Sequence, residues 1–214
     1  MKQLLTQEKG LIFRIVHRKN IPWILDNGIP CANSQAFFDG YVAIGNQDLI
    51  DKRKTRLIPV GFGGTLSDYV PFYFTPHSVM LYNIKTGYNN VKQRPNDEIV
   101  VIVSSLPCLL EQGVPFLFTD RHAYLEAATF FSDLNDLSQI DWSVLNARDF
   151  KRDPDDPGKF ERYQAEALVH HHVPVSAILG LACYTDEVSA QINTLTAAKG
   201  LALTVVTRPE WYFR

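Results

Sequence analysis

Residues 99–104, Ile-Val-Val-Ile-Val-Ser, form a continuous apolar run with neither helical spacing nor alternation. A run of this length and composition reads as a strand buried on both faces, so a sheet covered from two sides constrains everything else in the chain. Further strands are expected at residues 11–16, 116–119, 177–184 and 203–207, and another at 70–75, where Pro71 argues for an edge or a bulge. Helical readings fall at 21–27, with Asn20 as cap, Pro22 in the first turn and Gly28 at the end, and at 107–112 closed by Gly113. Residues 47–55 form a helical turn that carries a basic cluster. At 121–139, Tyr124, Ala127, Ala128, Phe131, Leu134 and Leu137 have the spacing of an amphipathic helix, and Asp186 caps a last helix that runs to Lys199. Residues 29–48 are irregular, and 59–64 form a flexible glycine-rich loop. Strands and helices mix without strict βαβ alternation, which gives an α+β fold with mostly antiparallel pairing.

The 214 residues fit a single domain, 1–214, with enough chain to bury a core. A net charge of −2 announces neither nucleic acid nor membrane, so any such contact must be a local patch. Cys31, Cys108 and Cys183 are few, odd in number and scattered, which argues against a disulfide framework and for a reducing cytoplasm. No apolar run approaches the ~18 residues of a membrane span. The N-terminal Met1-Lys2-Gln3-Leu4-Leu5-Thr6-Gln7-Glu8 lacks a signal-peptide core.

Glu166 is the candidate with the most to offer. It follows the irregular loop 151–159, with two prolines, a glycine and alternating charge, at the start of a short apolar stretch that reads as a strand. Gln164 and Glu166, two apart, would share one strand face. Such a carboxylate and amide can stabilise a developing positive charge and orient a hydroxyl; an ordinary exposed strand glutamate is the competing reading. Lys52-Arg53-Lys54-Thr55-Arg56 is either a phosphate clamp or a solvated face. On the strand near Pro71, Tyr69 and Tyr73 share one face and Phe72 and Phe74 the other; one pair fills the core and the other could stack on a flat ring. Thr119 or Asp120 would cap the long helix and place His122 in its first turn, near the positive end of the dipole, which favours the neutral imidazole. In His170-His171-His172 only the outer two can converge, and no HExxH or cysteine pair supports them, so no metal is expected. Gly61-Phe62-Gly63-Gly64 is not a P-loop.

Taken together, several segments resemble the DarT family of DNA ADP-ribosyltransferase toxins. They are Ile12-Phe13-Arg14-Ile15-Val16-His17-Arg18-Lys19-Asn20-Ile21, Arg53, Gly63-Gly64, Asp68-Tyr69-Val70-Pro71-Phe72-Tyr73-Phe74, Met80-Leu81-Tyr82, Phe118-Thr119-Asp120-Arg121-His122, Gln164-Ala165-Glu166 and Trp211-Tyr212, in family order over nearly the whole chain. The resemblance implies an ADP-ribosyltransferase fold of two small, mostly antiparallel sheets splayed around an NAD cleft, with helices outside. It implies transfer of ADP-ribose from NAD+ to a base, usually thymine, in single-stranded DNA, and a macrodomain antitoxin (DarG-like) as partner. Carried over by position, Glu166 and Arg53 would be catalytic. Arg14, His17, Asn20, Arg53 and Tyr73 would bind NAD+, and Lys52, Lys54, Met80, His122 and Gln164 would face DNA. Many relatives have a histidine where this chain has Arg14.

The chemistry agrees. Breaking the nicotinamide–ribose bond leaves an oxocarbenium-like ribose, which a carboxylate stabilises. The acceptor base must lose a proton, for which Glu166, Arg53 and His122 are the candidates. Stacking of bases on aromatic side chains would contribute roughly 1–3 kcal/mol each. The competing readings are transfer to RNA or protein, and a silent nucleic-acid-binding module, for which Gln164, Glu166 and Arg53 together would be superfluous.

Overall fold

The computed structural model describes residues 5–36 and 39–214. Residues 1–4 of the N-terminal segment, and 37–38 within the irregular stretch expected at 29–48, lie outside the described residues. The strands are β1 (Leu11–His17), β2 (Ile29–Pro30), β3 (Tyr69–Tyr73), β4 (Ile99–Ser105), β5 (Phe116–Thr119), β6 (Phe130–Phe131), β7 (Glu166–His170), β8 (His172–Val173), β9 (Gly180–Cys183) and β10 (Thr204–Thr207). The α-helices are α1 (Ile21–Asn27), α2 (Gln47–Arg53), α3 (Val79–Thr86), α4 (Leu106–Glu111), α5 (Trp142–Ala147), α6 (Lys159–Arg162) and α7 (Asp186–Ala198).

Eight strands lie in the order β10-β9-β4-β1-β3-β7-β5-β6, and β2 and β8 form a separate small pair. The apolar run at 99–104 is β4, buried between β1 and β9. β1 and β4 pair at every residue from Leu11↔Ser105 to His17↔Ile99. β9 and β10 are parallel, with α7 between them, and all other pairings in this sheet are antiparallel.

The eight strands are two halves joined at one point. β1 and β3 meet only at Phe13↔Tyr73, whereas β3 and β7 pair along five residues, from Tyr69↔His170 to Tyr73↔Glu166. Pro71 lies in the divergence. It has no N–H to offer a ladder, and Nη1 of Arg14 donates to its carbonyl at 2.7 Å, where a strand would otherwise bond. Of the edge or bulge expected for residues 70–75, the edge is corrected: β3 is interior in the sheet order, and edge-like only where β1 leaves it. In place of the two small sheets expected around a cleft, the protein has one eight-stranded sheet that opens between β1 and β3, with a cavity there, and a small two-stranded pair.

Phe13, Phe72 and Phe74 are fully buried, and Trp211 packs edge-on against Phe13 at 5.4 Å. The Tyr212 hydroxyl donates to the Ile99 and Ala182 carbonyls at 3.1 and 2.8 Å, which fastens the C-terminal residues to β4 and β9. A second apolar cluster, including Leu66, Tyr69, Leu117 and Leu168, lies apart from the main core. Among the described residues no helix is long and apolar enough to cross a membrane.

Residues 121–139 do not form the expected helix. Phe130 and Phe131 pair with Thr119 and Phe118, and only residues 134–139 turn helically, as a 3-10 helix. The physical reason is where the backbone donors go. Ala123 N–H bonds to the Glu166 carboxylate at 3.1 Å and Thr129 N–H to Asp120 at 3.0 Å, in place of an i→i−4 ladder. The strand expected at 177–184 shortens to Gly180–Cys183 behind a 3-10 turn at Val175–Ala177.

Candidate active site

Between the diverging halves lies a cavity of about 1020 Å³. β1 contributes Arg14, and β3 contributes Tyr73. Glu166, the first residue of β7 and opposite Tyr73 in register, is 3% exposed. Arg53 ends α2 and is 8% exposed. Asn46 caps α2 by accepting from Leu49 N–H, which fixes where its last turn delivers the arginine.

Arg53 Nη1 donates to Glu166 Oε2 at 2.8 Å, and Ala123 N–H donates to Oε1 at 3.1 Å. Thr119 Oγ1 accepts from Glu166 N–H at 3.2 Å, so β5 also holds the backbone of this residue. Burial pushes the Glu166 carboxyl upward. Arg53, His122 and the Ala123 N–H outweigh it and hold the group below the usual glutamate range, hence ionised. Nδ1 of His122 lies 3.5 Å from Oε1. Burial above all, with Arg53 adding to it, lowers the His122 pKa against the pull of Glu166, so the imidazole is neutral near pH 7 and the contact is not an ion pair. Nδ1 accepts from Tyr124 N–H at 3.2 Å, which assigns the proton to Nε2. Burial, then the Glu166 charge, push the Tyr73 phenol up to about 12, so it stays protonated.

The basic cluster does not act as a unit. Arg53 turns inward, Lys52 sits exposed at the cavity wall, Lys54 is outside it and bonds to Asp51 at 2.8 Å, and Arg56 donates to the Leu125 carbonyl at 3.0 Å. Asn20 lines the cavity but caps nothing; its carboxamide bonds both ways to the backbone of Val42, each at 2.9 Å. His17 is not part of the cavity lining. Its Nδ1 accepts from Lys19 N–H at 3.1 Å and its Nε2 meets Glu98 at 3.2 Å. Met80 reaches the wall from α3.

Gln164 also lines the cavity, but from the turn before β7, with its amide on the Phe160 carbonyl at 3.1 Å; it does not share a strand face with Glu166 as expected. His122 lines the cavity from a turn rather than the start of a helix. His170 stacks on Phe62 at 4.8 Å, and His172 bonds to the Asn27 carbonyl at 2.7 Å. Among the described residues no cluster of three metal-ligating side chains exists.

Sequence reasoning missed Ser67 and Asn83, both buried and both on the cavity wall. Asn83 had a signal: it lies three residues after Met80 on α3, hence on the same helix face. It also missed Arg152, whose guanidinium sits 4.8 Å over the Phe160 ring at the same wall.

A sequence model described as "ssDNA thymidine ADP-ribosyltransferase, DarT" matches residues 13–213. The chain belongs to the DarT family. A DNA ADP-ribosyl transferase of Escherichia coli O127:H6 is 54% identical over 209 residues, covering 98% of this chain and 96% of that protein. The structure of Thermus sp. 2.9 DarT with ADP-ribosylated single-stranded DNA superposes with a TM-score of 0.87 at 31% identity, covering 96% of this chain and 97% of that one. The same Thermus protein with NAD+ gives a TM-score of 0.82 at 31% identity, covering 96% and 98%. Thermosipho africanus DarTG, solved with ADP-ribose, has a TM-score of 0.74 at 22% identity over 95% of this chain and 51% of that one, a likeness of fold.

Proposed function

We propose that this DarT-family chain transfers ADP-ribose from NAD+ to thymidine in single-stranded DNA and releases nicotinamide, as the toxin of a toxin–antitoxin pair whose other member is a macrodomain protein. The observation that carries the reading is the buried Arg53–Glu166 pair at 2.8 Å in the wall of a cavity large enough for a dinucleotide and a base. The relatives are DNA ADP-ribosyl transferases, and the Thermus DarT structures hold NAD+ and ADP-ribosylated DNA, which favours DNA over RNA or protein as acceptor.

The bond between nicotinamide and ribose breaks with its electron pair passing to nicotinamide. The positive charge left on the ribose forms beside the ionised Glu166, already desolvated and aimed by Arg53 and Ala123. A thymine ring nitrogen then bonds to that carbon and loses its proton. Arg53 cannot take the proton, being charged throughout. His122, with Nδ1 engaged, offers Nε2–H as a donor to a base carbonyl. Glu166 is therefore the acceptor in this trio, and Arg53 screens the charge on the base. Arg14, Asn20 and Tyr73 would line the NAD+ side, and Lys52, Met80, His122 and Gln164 the DNA side; His17 and Lys54, outside the cavity, would act through neighbours. The reaction needs no metal. We place the whole chain, 1–214, in one catalytic domain working in the cytoplasm, where its three unpaired cysteines stay reduced.

The test is mass spectrometry of a thymidine-containing oligonucleotide incubated with the protein and NAD+, alongside Glu166→Ala. A gain of one ADP-ribose, absent in the variant, is expected. Nicotinamide release with unmodified DNA would move the acceptor elsewhere, and no NAD+ turnover at all would sink the reading.

A further inference from the structure

Seven buried side-chain polar atoms lack a hydrogen-bond partner among the described residues, and four of them belong to residues of the cavity wall: Arg14 Nε, Arg53 Nη2, Ser67 Oγ and Asn83 Oδ1. Orphaned buried polar atoms are rare in folded proteins, and each costs free energy unless something satisfies it. Their concentration on one wall is the mark of a site whose partners arrive with the ligand. The two arginines already have a place in the proposed reaction. Asn83 does not.

Asn83 sits within α3, 6% exposed, and its buried Oδ1 has no hydrogen-bond partner among the described residues. Asparagine is a poor helix former and a poor core residue, so neither local propensity nor packing accounts for it here. It shares a helix face with Met80, three residues earlier, and both line the cavity. The two ends of a carboxamide exchange by a half-turn of the side chain, so this group can present a donor, an acceptor or both.

We infer that Asn83 reads a nucleobase edge on which a hydrogen-bond donor lies beside an acceptor, while Met80 packs against the base. The inference rests on the nucleotide substrates proposed above. Adenine (N6–H₂ beside N7) carries such an edge, which the carboxamide matches bidentately, whereas the N3–H of the acceptor thymine is itself the reacting group. The base can come from a nucleotide flanking the acceptor thymine or from the adenine of NAD+.

Asn83→Leu and Asn83→Ala test it. A free protein that pays for an unpaired buried amide should lose nothing when the amide is replaced, so thermal midpoints equal to or above the wild type are expected for Leu. Substrate recognition should suffer by roughly ten-fold or more, since a buried polar contact is then missing in the complex. Two arms separate the sources. In the first, Kd by calorimetry is compared for NAD+ and its hypoxanthine analogue, without DNA. In the second, KM is measured for the oligonucleotide at saturating NAD+. A rise in NAD+ Kd together with loss of the analogue's penalty assigns the adenine. A rise confined to the oligonucleotide KM assigns a DNA base beside the acceptor. Unchanged values in both arms, or a variant that binds normally but melts earlier, would overturn the inference and make Asn83 structural. A wild-type protein that binds NAD+ but never modifies DNA would count against the proposed function instead, and the first arm would still decide Asn83 for adenine.

Discussion

The two halves of the sheet are built differently. β10-β9-β4-β1 is fastened by the full β1–β4 ladder and by the Tyr212 hydroxyl, and β4 carries only apolar and serine side chains. β3-β7-β5-β6 carries a proline in a ladder, a buried glutamate at the head of a strand, and long connections whose backbone donors end on Asp120 and Glu166. The first half is optimised for burial and the second holds desolvated charge in a fixed place. A protein tolerates the second kind of construction only where the first stabilises it and where function repays the cost.

The contrast can be broken from either side. The largest expected effect is on chemistry: Glu166→Gln should cut the rate of DNA modification by about 10²–10³, measured in single-turnover assays, because the transition-state charge loses its partner. Next is stability in the first half. Phe13→Ala should cost about 3–5 kcal/mol in urea unfolding while the activity of the molecules that remain folded persists. If instead Phe13→Ala silences the folded enzyme, the halves are not separable in this way.

Arg53→Ala leaves the buried Glu166 carboxylate without its cation and with only the Ala123 N–H donating to it, which should cost about 3–5 kcal/mol in the same assay and lower activity as well. Tyr212→Phe removes one hydroxyl shared by two strand carbonyls and should cost about 1 kcal/mol, with activity intact.

The last effect is read against pH. Burial, with Arg148 second, pushes buried His77 down to about 4, below its unfolded value. Between those values the unfolded chain binds more protons, so stability is fully present above the unfolded value and drains away as pH falls toward 4. His77→Phe should flatten that slope in a series of melts from pH 7 to 4, and an unchanged slope would assign it to other groups.

Much of the fold was legible in local pattern. β1, α1, α2, β5 and α7 emerge near where spacing put them, because their hydrogen bonds close within the element or along one clear strand, although α7 is capped by Thr185 rather than the expected Asp186. Residues 121–139 were misread because helical spacing of apolar residues does not show that the N–H groups of Ala123 and Thr129 have carboxylates elsewhere to bond. Asn20 resembled a cap and became a clasp on Val42 for the same reason. The order of motifs along the chain identified Glu166 and Arg53, but no periodicity could join two residues 113 apart.

By itself the sequence determined the longer strands, the helices α1, α2, α4 and α7, the family and the identity of the charged residues, since these depend on near neighbours and on motif order. The tertiary structure alone decided that β1 and β3 part at Pro71, that one cation of a cluster turns inward while its neighbours stay at the rim or beyond it, and that Ser67 and Asn83 face the same cavity. Those outcomes depend on which distant backbone groups are left to bond and on where water is excluded, and both are fixed only when the two halves of the sheet come together.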